Sequence, residues 1–439
     1  MQSQSTPVWM LLLLLFSSII TLAQKQPTVF QGATIYPIAG PPILSGTLIV
    51  QDGKIVQVGD ARTPVPANAT VIQLNGKIIM PGLVDTHSHL GGPEGGDGSN
   101  PINPETRAMD AINPTSDGFK KALAGGITTI NVMPGSGHLM SGQTVYIKMR
   151  DARTIEDMLL VNEKGVFGGM KMANGTNPMR GSSGFPGTRA KNASLVRELY
   201  LKAMEYKKKR DKAGKDSTKM PERDLRMEPL VEVLEGKRMV HFHTHKANDI
   251  LTAIRLIKEF GFRAVLHHLS EGWMVADEIA KAGVPCSIIN IEAPGGKLEA
   301  SQLTLKSGGI LEKAGCSVVF HTDDGITDSR LFLRTAAMSV RYGMSRDKAL
   351  EGLTLTGAKL MDLSSKLGSL EKGKDADFII LSGDPFSLYT HVEQTWVEGV
   401  KRYDISNPAD RAFLTGGFGV YSAERNEYHH HGDQADTDK

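Results

Sequence analysis

Histidine, lysine and aspartate residues stand at the ends of several apolar stretches of this sequence. In MPGLVDTHSHLGG, residues 80–92, His87 and His89 lie one residue apart, directly before a glycine-rich turn. Further stretches end similarly: Lys171 in FGGMKMANG, His241, His243 and His245 in MVHFHTHK, His267 and His268 in RAVLHHL, and His321, Asp323 and Asp324 in VVFHTDDG. Divalent transition metals bind imidazole nitrogen and carboxylate oxygen. This recurrence favours a metal site over isolated structural histidines.

The spacing of the histidines indicates which of them share a face. Side chains two residues apart on a β-strand point to the same side. His87 and His89 therefore point together. The three histidines of MVHFHTHK also share one face, whereas Phe242 between them points to the opposite layer.

Short apolar strands alternate with helix-like segments between residues 78 and 360. Strand candidates are IIMPGLVD, ITTINVM, FGGMKMA, RMVHFHTH, RAVLHHL, VPCSII and CSVVFHTD, and helix candidates include DILTAIRLIKEFG, MVADEIAKAG and LFLRTAAMSVRYG. This α/β alternation over roughly 280 residues predicts a parallel (β/α)8 TIM barrel, whose usual size is about 250 residues. A doubly wound sheet is the competing fold, but no G-x-G-x-x-G motif follows the first strand. In a barrel, the C-terminal strand ends meet at one mouth, so the polar residues would converge there.

Both ends of the chain are rich in strand-like segments. QDGK between two such runs predicts a hairpin, and GSLEKGKDADFIILSGDP and VEQTWVEGVKRYD show the same character. The sequence therefore predicts a composite β-sandwich domain around the barrel. Its predicted bounds are 24–77 and 361–425, with the barrel at 78–360, a helical insertion at 190–235 and a disordered polar tail at 426–439.

The first residues resemble an export signal. VWMLLLLLFSSIITLA is uncharged, ends in Thr21-Leu22-Ala23, and is shorter than the ~20 residues of a membrane-spanning helix. We predict a cleavable signal peptide at 1–23 and an exported protein, periplasmic or secreted. No lysine or arginine precedes the apolar run, so a retained N-terminal membrane anchor is the alternative.

Charge and cysteine content narrow the class of protein. Lys+Arg total 50 and Asp+Glu total 48, and this near balance gives no electrostatic basis for binding nucleic acid. The two cysteines, Cys286 and Cys316, each lie in a short apolar run, which favours buried thiols over a disulfide.

Two segments of the chain resemble the amidohydrolase superfamily of metal-dependent hydrolases. MPGLVDTHSHLG is similar to its first-strand signature, and LTLTGAKLMDLSSKLGSLEKGKDADFIILSGDP is similar to its C-terminal segment. The likeness spans about residues 28–403. FHTHKANDILTAIRLIKEFG resembles the fifth strand and following helix of the imidazolonepropionase and prolidase-like branch.

This resemblance implies a ligand set for two divalent metal ions. The matching positions are His87 and His89 for the more buried ion, Lys171 as a carboxylated lysine that bridges both ions, His243 and His268 for the second ion, and Asp323 as both ligand and proton shuttle. Zinc is the favoured metal, with manganese, iron and cobalt as alternatives.

Alternatives stay open at three positions. His241 or His245 could replace His243 as the ligand, and His245 is otherwise placed near the substrate. Asp324 is expected to be a turn residue or hydrogen-bond partner. A free ammonium beside two cations is strongly unfavourable, so the alternative to a carboxylated Lys171 is an ammonium paired with an acid or pointing elsewhere.

The predicted reaction is hydrolysis of a C–N bond in a small amide or dipeptide-like substrate. Two ions would lower the pKa of a bridging water towards about 7, giving a metal-activated hydroxide. Asp323 would take the proton and pass it to the leaving nitrogen. The alternatives are a mononuclear deaminase or cyclic-amide hydrolase on the same barrel, and a non-catalytic binding protein that keeps the barrel.

Loops near the predicted mouth supply candidate substrate contacts. The loop PGSGHLMSGQTV, residues 134–145, contains His138, for which a plain surface-loop position is the alternative. Arg180 and Arg189 are candidates to pair with a substrate carboxylate. No nucleic-acid partner and no membrane contact beyond the export signal are expected, and assembly into a homo-oligomer stays open.

Overall fold

The computed structural model describes residues 26–93, 95–180, 184–290 and 297–416. The strands in chain order are β1 Thr28–Ile35, β2 Ile43–Gln51, β3 Lys54–Gly59, β4 Thr70–Gln73, β5 Ile78–Pro81, β6 Leu83–Ser88, β7 Ile127–Val132, β8 Met140–Gln143, β9 Val145–Lys148, β10 Met170–Ala173, β11 Val240–Thr244, β12 Ala264–His268, β13 Cys286–Ile288, β14 Val318–Phe320, β15 Phe378–Leu381, β16 Val392–Val397 and β17 Val400–Asp404. The helices are α1 Asp117–Ala124, α2 Arg189–Ala213, α3 Met227–Leu234, α4 Ala247–Phe260, α5 Ala276–Ala282, α6 Ser307–Lys313, α7 Phe332–Arg341, α8 Arg346–Gly352, α9 Leu355–Leu360 and α10 Pro408–Thr415.

Strands from both chain ends form one sheet, which we call the small sheet. Its order is β17-β16-β15-β5-β1-β2-β3, and β4 pairs with β1. The predicted hairpin at QDGK is confirmed, since Gln51 pairs with Lys54 across the antiparallel β2–β3 pair. Asp52 and Gly53 at its tip have φ of 51° and 77°, as a tight hairpin turn requires. The further grouping of these strands into a sandwich stays a prediction.

The middle of the chain forms two sheets. One has the order β14-β13-β12-β11-β10-β8, and the other has the order β6-β7-β9. From β10 to β14 all neighbouring strands are parallel. Helices α4, α5 and α6 lie between successive strands of this parallel run. The middle of the chain is therefore an α/β structure in which the C-terminal ends of these strands share one edge.

Residues 140–148 differ from the sequence prediction. The pattern predicts a loop over 134–145, but β8 begins at Met140, and β8 and β9 are antiparallel to β10 and β7. MSGQT lacks the apolar alternation that marks a strand, which explains the error. A Cβ on Gly142, whose φ is 122°, would lie 2.1 Å from Thr106 Oγ1, so this strand position requires glycine.

Local sequence explains the strand and helix that carry the histidine-rich motif. All residues of β11 are buried, and Phe242 belongs to the apolar core on the face opposite to His241 and His243. The following helix α4 buries Ile250 and Ile254 at helical spacing. It ends at Gly261 in the left-handed conformation, which fixes the return to β12.

A buried ion cluster joins the small sheet to the middle of the chain. Lys148, at the end of β9, is fully buried and contacts Asp375, lies 2.9 Å from Asp377 Oδ2, and lies 3.6 Å from Glu398 Oε1. Burial lowers the pKa of Lys148, but the surrounding carboxylates outweigh it and raise this pKa overall. The acids come from segments next to β15 and β16, so this cluster fixes β9 against the C-terminal strands.

Other predictions concern the termini and the cysteines. The predicted signal peptide and polar tail lie outside the described residues. Among the described residues, no helix has the length and hydrophobicity needed to cross a bilayer. Neither Cys286 nor Cys316 forms a disulfide, as predicted, but only Cys286 is the buried thiol that was expected, because Cys316 is partly exposed.

Candidate metal centre

The histidine, lysine and aspartate residues of the strand-end motifs lie on one edge of the central strands. His87 lies in β6, Lys171 in β10, His243 in β11 and His268 at the end of β12. Asp323 lies three residues after β14. Parallel pairing places Ala173 opposite His243, and His243 opposite His267, so these strands end in register.

His87, His89 and Asp323 form the tightest group of potential ligands. Asp323 Oδ1 lies 2.9 Å from His89 Nε2 and 3.3 Å from His87 Nε2, and the two imidazole nitrogens are 3.2 Å apart. Ligand atoms that share one tetrahedral zinc ion at about 2.0–2.1 Å lie about 3.3 Å apart. His89 Nδ1 lies 2.7 Å from the carbonyl oxygen of Met133, an acceptor that places the proton on Nδ1. His89 Nε2 therefore carries the lone pair that a metal ion requires.

Lys171 lies directly beside this group. Its Nζ is 3.0 Å from His87 Nε2 and 3.1 Å from the sulfur of Met133, and its side chain is fully buried. Burial lowers the pKa of Lys171 to about 7. Burial thus favours the neutral amine, which removes the like-charge conflict between an ammonium and a bound cation.

His243 and His268 form a second group of potential ligands. Their ring centroids are 4.2 Å apart. Both ring nitrogens of His243 and the Nε2 of His268 are buried and have no hydrogen-bond partner among the described residues. Leaving a buried polar atom without a partner costs about 1–3 kcal/mol, and coordination of a cation would remove that cost. The donor set therefore fits a second divalent ion.

The other two histidines of MVHFHTHK have partners. His241 Nδ1 lies 3.0 Å from His267 Nε2, and its Nε2 lies 3.3 Å from the hydroxyl of Tyr146. His245 Nδ1 lies 2.8 Å from the hydroxyl of Ser270. These contacts favour His243 over His241 as the ligand on β11.

Backbone conformation explains how adjacent histidines both reach the site. His268 and Asp323 have φ of 73° and 50°, in the left-handed region that costs a non-glycine residue roughly 1–2 kcal/mol. Without this turn, His267 and His268 would point to opposite faces of β12. Instead, their ring centroids lie 4.9 and 5.1 Å from that of His87. Strain of this kind is typical of functional sites.

Three histidines lie deeper in the cluster: His241, an alternative ligand in the sequence prediction, and His267 and His321, to which the resemblance assigns no role. His241, His267 and His321 are fully buried, and burial lowers the pKa of His241 and of His321 to about 3 and that of His267 well below its ordinary value. Burial therefore favours the neutral form of all three. The signal that could have found His321 is its spacing, two residues before Asp323 at the same strand end.

Two sets of three residues bring potential ligand atoms within 4.8 Å of one another. Among the described residues, these are His87, His267 and His321, and His87, His268 and Asp323. The second set consists entirely of residues that the resemblance selected.

The structure shows the surroundings of three candidate substrate-binding residues. His138 is buried rather than surface-exposed, and its ring centroid lies 5.4 Å from that of Phe185. Arg180 lies over the same ring at 4.3 Å, and its Nη1 donates to Gly137 O at 2.6 Å. Arg189 is engaged by carboxylates, because its Nε donates to Asp249 at 3.0 Å.

Asp324 has a structural role rather than a place among the ligands. Its Oδ1 accepts a hydrogen bond from Lys121 Nζ at 3.0 Å, and its Oδ2 accepts one from the backbone N–H of Ser329 at 2.8 Å. All three side chains are buried. This matches the expectation of a hydrogen-bond partner.

The family model described as the amidohydrolase family matches residues 78–406. The chain belongs to the amidohydrolase family. The amidohydrolase tasK of Hapsidospora irregularis is 26% identical over 405 residues, which cover 84% of this chain and 41% of that protein. This chain thus spans less than half of that relative's length.

Two solved structures extend the comparison. An amidohydrolase from Thermotoga maritima MSB8 is 33% identical with a TM-score of 0.81, covering 86% of this chain and 100% of that chain. A prolidase complexed with N-methylphosphonate-L-proline is 18% identical with a TM-score of 0.54, covering 86% of this chain and 99% of that chain, a likeness of fold alone. Amidohydrolase neighbours imply a TIM-barrel-type fold with α/β content, and family membership supports a hydrolase reaction and a divalent-metal site.

Proposed function

We propose that this amidohydrolase cleaves the C–N bond of a small amide or dipeptide-like substrate, with two divalent metal ions as cofactor. The observation that carries the proposal is the position of the Asp323 carboxylate. It lies 2.9 Å from His89 Nε2, and its other oxygen lies 3.9 Å from Nδ1 of His268, which belongs to the same cluster. The proposed ligands are His87, His89, Lys171, His243, His268 and Asp323, and zinc is the favoured metal.

Bound divalent ions would supply a Lewis acid and a water molecule of lowered pKa for attack on a carbonyl carbon. Asp323 would accept the proton of the attacking water on its carboxylate and deliver it to the leaving nitrogen. His245, His138 and Arg180 are the proposed substrate contacts. The guanidinium of Arg180 is held by Phe185 and by Gly137 O, which would pre-position it for a carboxylate of the substrate.

Lys171 would enter the site as a carbamate. Its buried side chain favours the neutral amine. The amine nitrogen would form a bond to the carbon of CO2 and lose one proton to solvent, leaving an anionic carboxylate. That carboxylate would replace a neutral amine with an anionic group that offers two oxygen ligands beside the histidines.

We also propose that the two central sheets are parts of one closed ring of eight strands, with residues 140–148 as one member. At one junction, Thr144 N, between β8 and β9, donates to Gly169 O at 3.0 Å. At the other, Asp323 N, beyond β14, donates to His87 O in β6 at 2.9 Å. These two hydrogen bonds would join the ends of the two central sheets, as closure of an eight-stranded barrel requires.

The metal content tests this proposal. Native protein should hold two equivalents of divalent metal by mass spectrometry, and Lys171→Ala should hold one or none. Lys121→Met is a matched control, because Lys121 is also buried but pairs with Asp324. It should retain two equivalents. Two equivalents in Lys171→Ala would contradict the bridging role, and native protein without metal after zinc and manganese supplementation would contradict a metal-dependent enzyme.

Substrate class, location and assembly are tested separately. Release of free amine from N-acyl amino acids and dipeptides by the metal-loaded protein would identify the substrate class. We further propose export after cleavage behind Ala23. Mass spectrometry of the mature N-terminus should then find Gln24 first, whereas an intact Met1 would support the retained anchor. Light scattering would show whether a homo-oligomer forms.

A further inference from the structure

A chain of hydrogen bonds connects a backbone carbonyl to one proposed metal ligand. Thr86 Oγ1 donates to Phe320 O at 3.1 Å and lies 2.7 Å from Ser287 Oγ. Ser287 Oγ lies 2.8 Å from His321 Nδ1, and His321 Nε2 lies 3.3 Å from His268 Nδ1. All five residues are buried, so water does not compete for these contacts. We call this series the Thr86–His268 chain.

The carbonyl at one end gives the Thr86–His268 chain a direction. A carbonyl oxygen only accepts, so the single hydroxyl proton of Thr86 is used there. Ser287 must then donate its proton to Thr86, and the Ser287 oxygen accepts from His321 Nδ1–H. A neutral imidazole has one N–H, so His321 Nε2 carries a lone pair and accepts from His268 Nδ1–H.

We propose that His321 is a positioning residue that fixes the tautomer of His268, so that the lone pair of His268 Nε2 stays available to the second metal ion. His268 Nε2 is buried without a hydrogen-bond partner among the described residues, as a nitrogen reserved for a cation would be. The inference rests on the proposed metal-dependent function. It adds a role for a residue that lies outside the proposed ligand set.

The reverse proton order would disable His268. If Thr86 donated to Ser287, each later proton would shift, and the proton of His268 would lie on Nε2. A proton on Nε2 would leave that nitrogen no lone pair for a cation, and Phe320 O would lose the Thr86 donor. His267, the other histidine at this strand end, is not part of the chain, because its Nε2 contacts His241 Nδ1 at 3.0 Å.

The tautomer itself can be measured on the unaltered full-length protein. Long-range proton–nitrogen NMR spectra of 15N-histidine-labelled, metal-free protein distinguish a protonated ring nitrogen from one with a lone pair. The His268 signals are assigned by their absence in His268→Gln. We expect Nδ1 to be protonated and Nε2 not, which is opposite to the tautomer that a free histidine side chain prefers in water. A protonated Nε2 would overturn the proposal.

Substitutions test the consequence for metal affinity, measured by zinc competition with a chromogenic chelator. His321→Leu removes the acceptor and should weaken the second zinc ion about 10–100-fold, while the first ion is unchanged. His321→Gln keeps an oxygen acceptor for His268 and an N–H donor for Ser287, so it should restore most of this affinity. Ser287→Ala should weaken the second ion in the same direction. Ser339→Ala is the matched control, because Ser339 is a buried serine that instead accepts from Asn290.

The outcomes separate this inference from the proposed function. Native protein that binds no zinc would overturn the proposed function. Native protein that binds two zinc ions, with His321→Leu binding both equally well, would overturn the role of His321 alone. If His321→Leu does not fold, the NMR measurement on the native protein decides.

Discussion

Asp323→Asn is the most direct perturbation of the proposed chemistry. The Asp323 carboxylate lies between the two histidine nitrogens of β6 and its following turn, at 2.9 and 3.3 Å. Its φ of 50° lies in the left-handed region, which asparagine tolerates better than alanine. The amide therefore keeps the size and backbone conformation of the carboxylate while removing its charge and its capacity to take a proton.

The expected loss follows from the role assigned to this carboxylate. A positioned general acid–base typically contributes 10²–10⁴-fold to the rate, or about 3–5 kcal/mol at 1.36 kcal/mol for each factor of ten. We expect kcat/KM of Asp323→Asn to fall by at least ~100-fold, the lower end of that range, and further if metal is also lost. Metal analysis of the same sample separates the two causes.

Asp324→Asn provides the matched control for this experiment. The neighbouring carboxylate binds Lys121 and the backbone of Ser329 rather than the histidine cluster. Asp324→Asn should lower the melting temperature, because it leaves a buried lysine without its charged partner. Its activity per folded molecule should stay near that of the native protein.

The opposite pattern would refute the reasoning. If Asp323→Asn keeps kcat/KM within a factor of ten of the native value at equal metal content, this carboxylate does not move the proton. Equal losses of activity in both variants would show that the whole turn after β14 acts as a structural unit. The distinction between the two aspartates would then be wrong.

Two further predictions concern buried charge outside the ligand group. Lys148→Met leaves Asp375 and Asp377 without their buried cation. We therefore expect the free energy of unfolding, measured by chemical denaturation, to fall by about 3–5 kcal/mol. An unchanged free energy of unfolding would contradict this role of Lys148. Burial, with a smaller contribution from Arg180, lowers the pKa of His138 to about 4 from an ordinary value of 6.5. The unfolded chain therefore takes up the proton first, so the stabilising effect of a neutral His138 is full above pH 6.5 and is lost as the pH falls towards 4. Melting temperatures of His138→Asn should decline less than those of the native protein over this window, and parallel curves would exclude this contribution.

The sequence predicts those strands and helices whose pattern of apolar and polar residues matches the way they are buried in the folded chain. The apolar runs of β11 and β12 end in histidines, which predicts two strands. The apolar residues of α4 recur at helical spacing and a glycine follows them, which predicts a helix, and the structure has all three elements. The strands at residues 140–148 were missed because Met-Ser-Gly-Gln-Thr carries no strand periodicity. Gly142 is required there by the nearby Thr106, a contact that exists only in the folded chain.

The site was predictable by residue type, but the partners within it were not. His87, His243 and His268 were identified from strand-end position and family resemblance. The contacts of His241 and His321 depend on side chains of other strands, and no local pattern encodes them. The left-handed backbone at His268 is also invisible in the sequence, since an alternating strand would point it away from the site.

The composition of the small sheet affects the order of events during synthesis. Ile78–Pro81 in β5 pairs with Phe378–Leu381 in β15, almost 300 residues later. At about 5–20 residues per second, a ribosome needs roughly 15–60 s to make the intervening chain. During that time one edge of β5 has no strand to pair with, and such edges readily join other chains. Because Leu83 begins β6 directly beyond β5, the strand that carries His87 follows a strand whose sheet is complete only after the C-terminal strands have emerged.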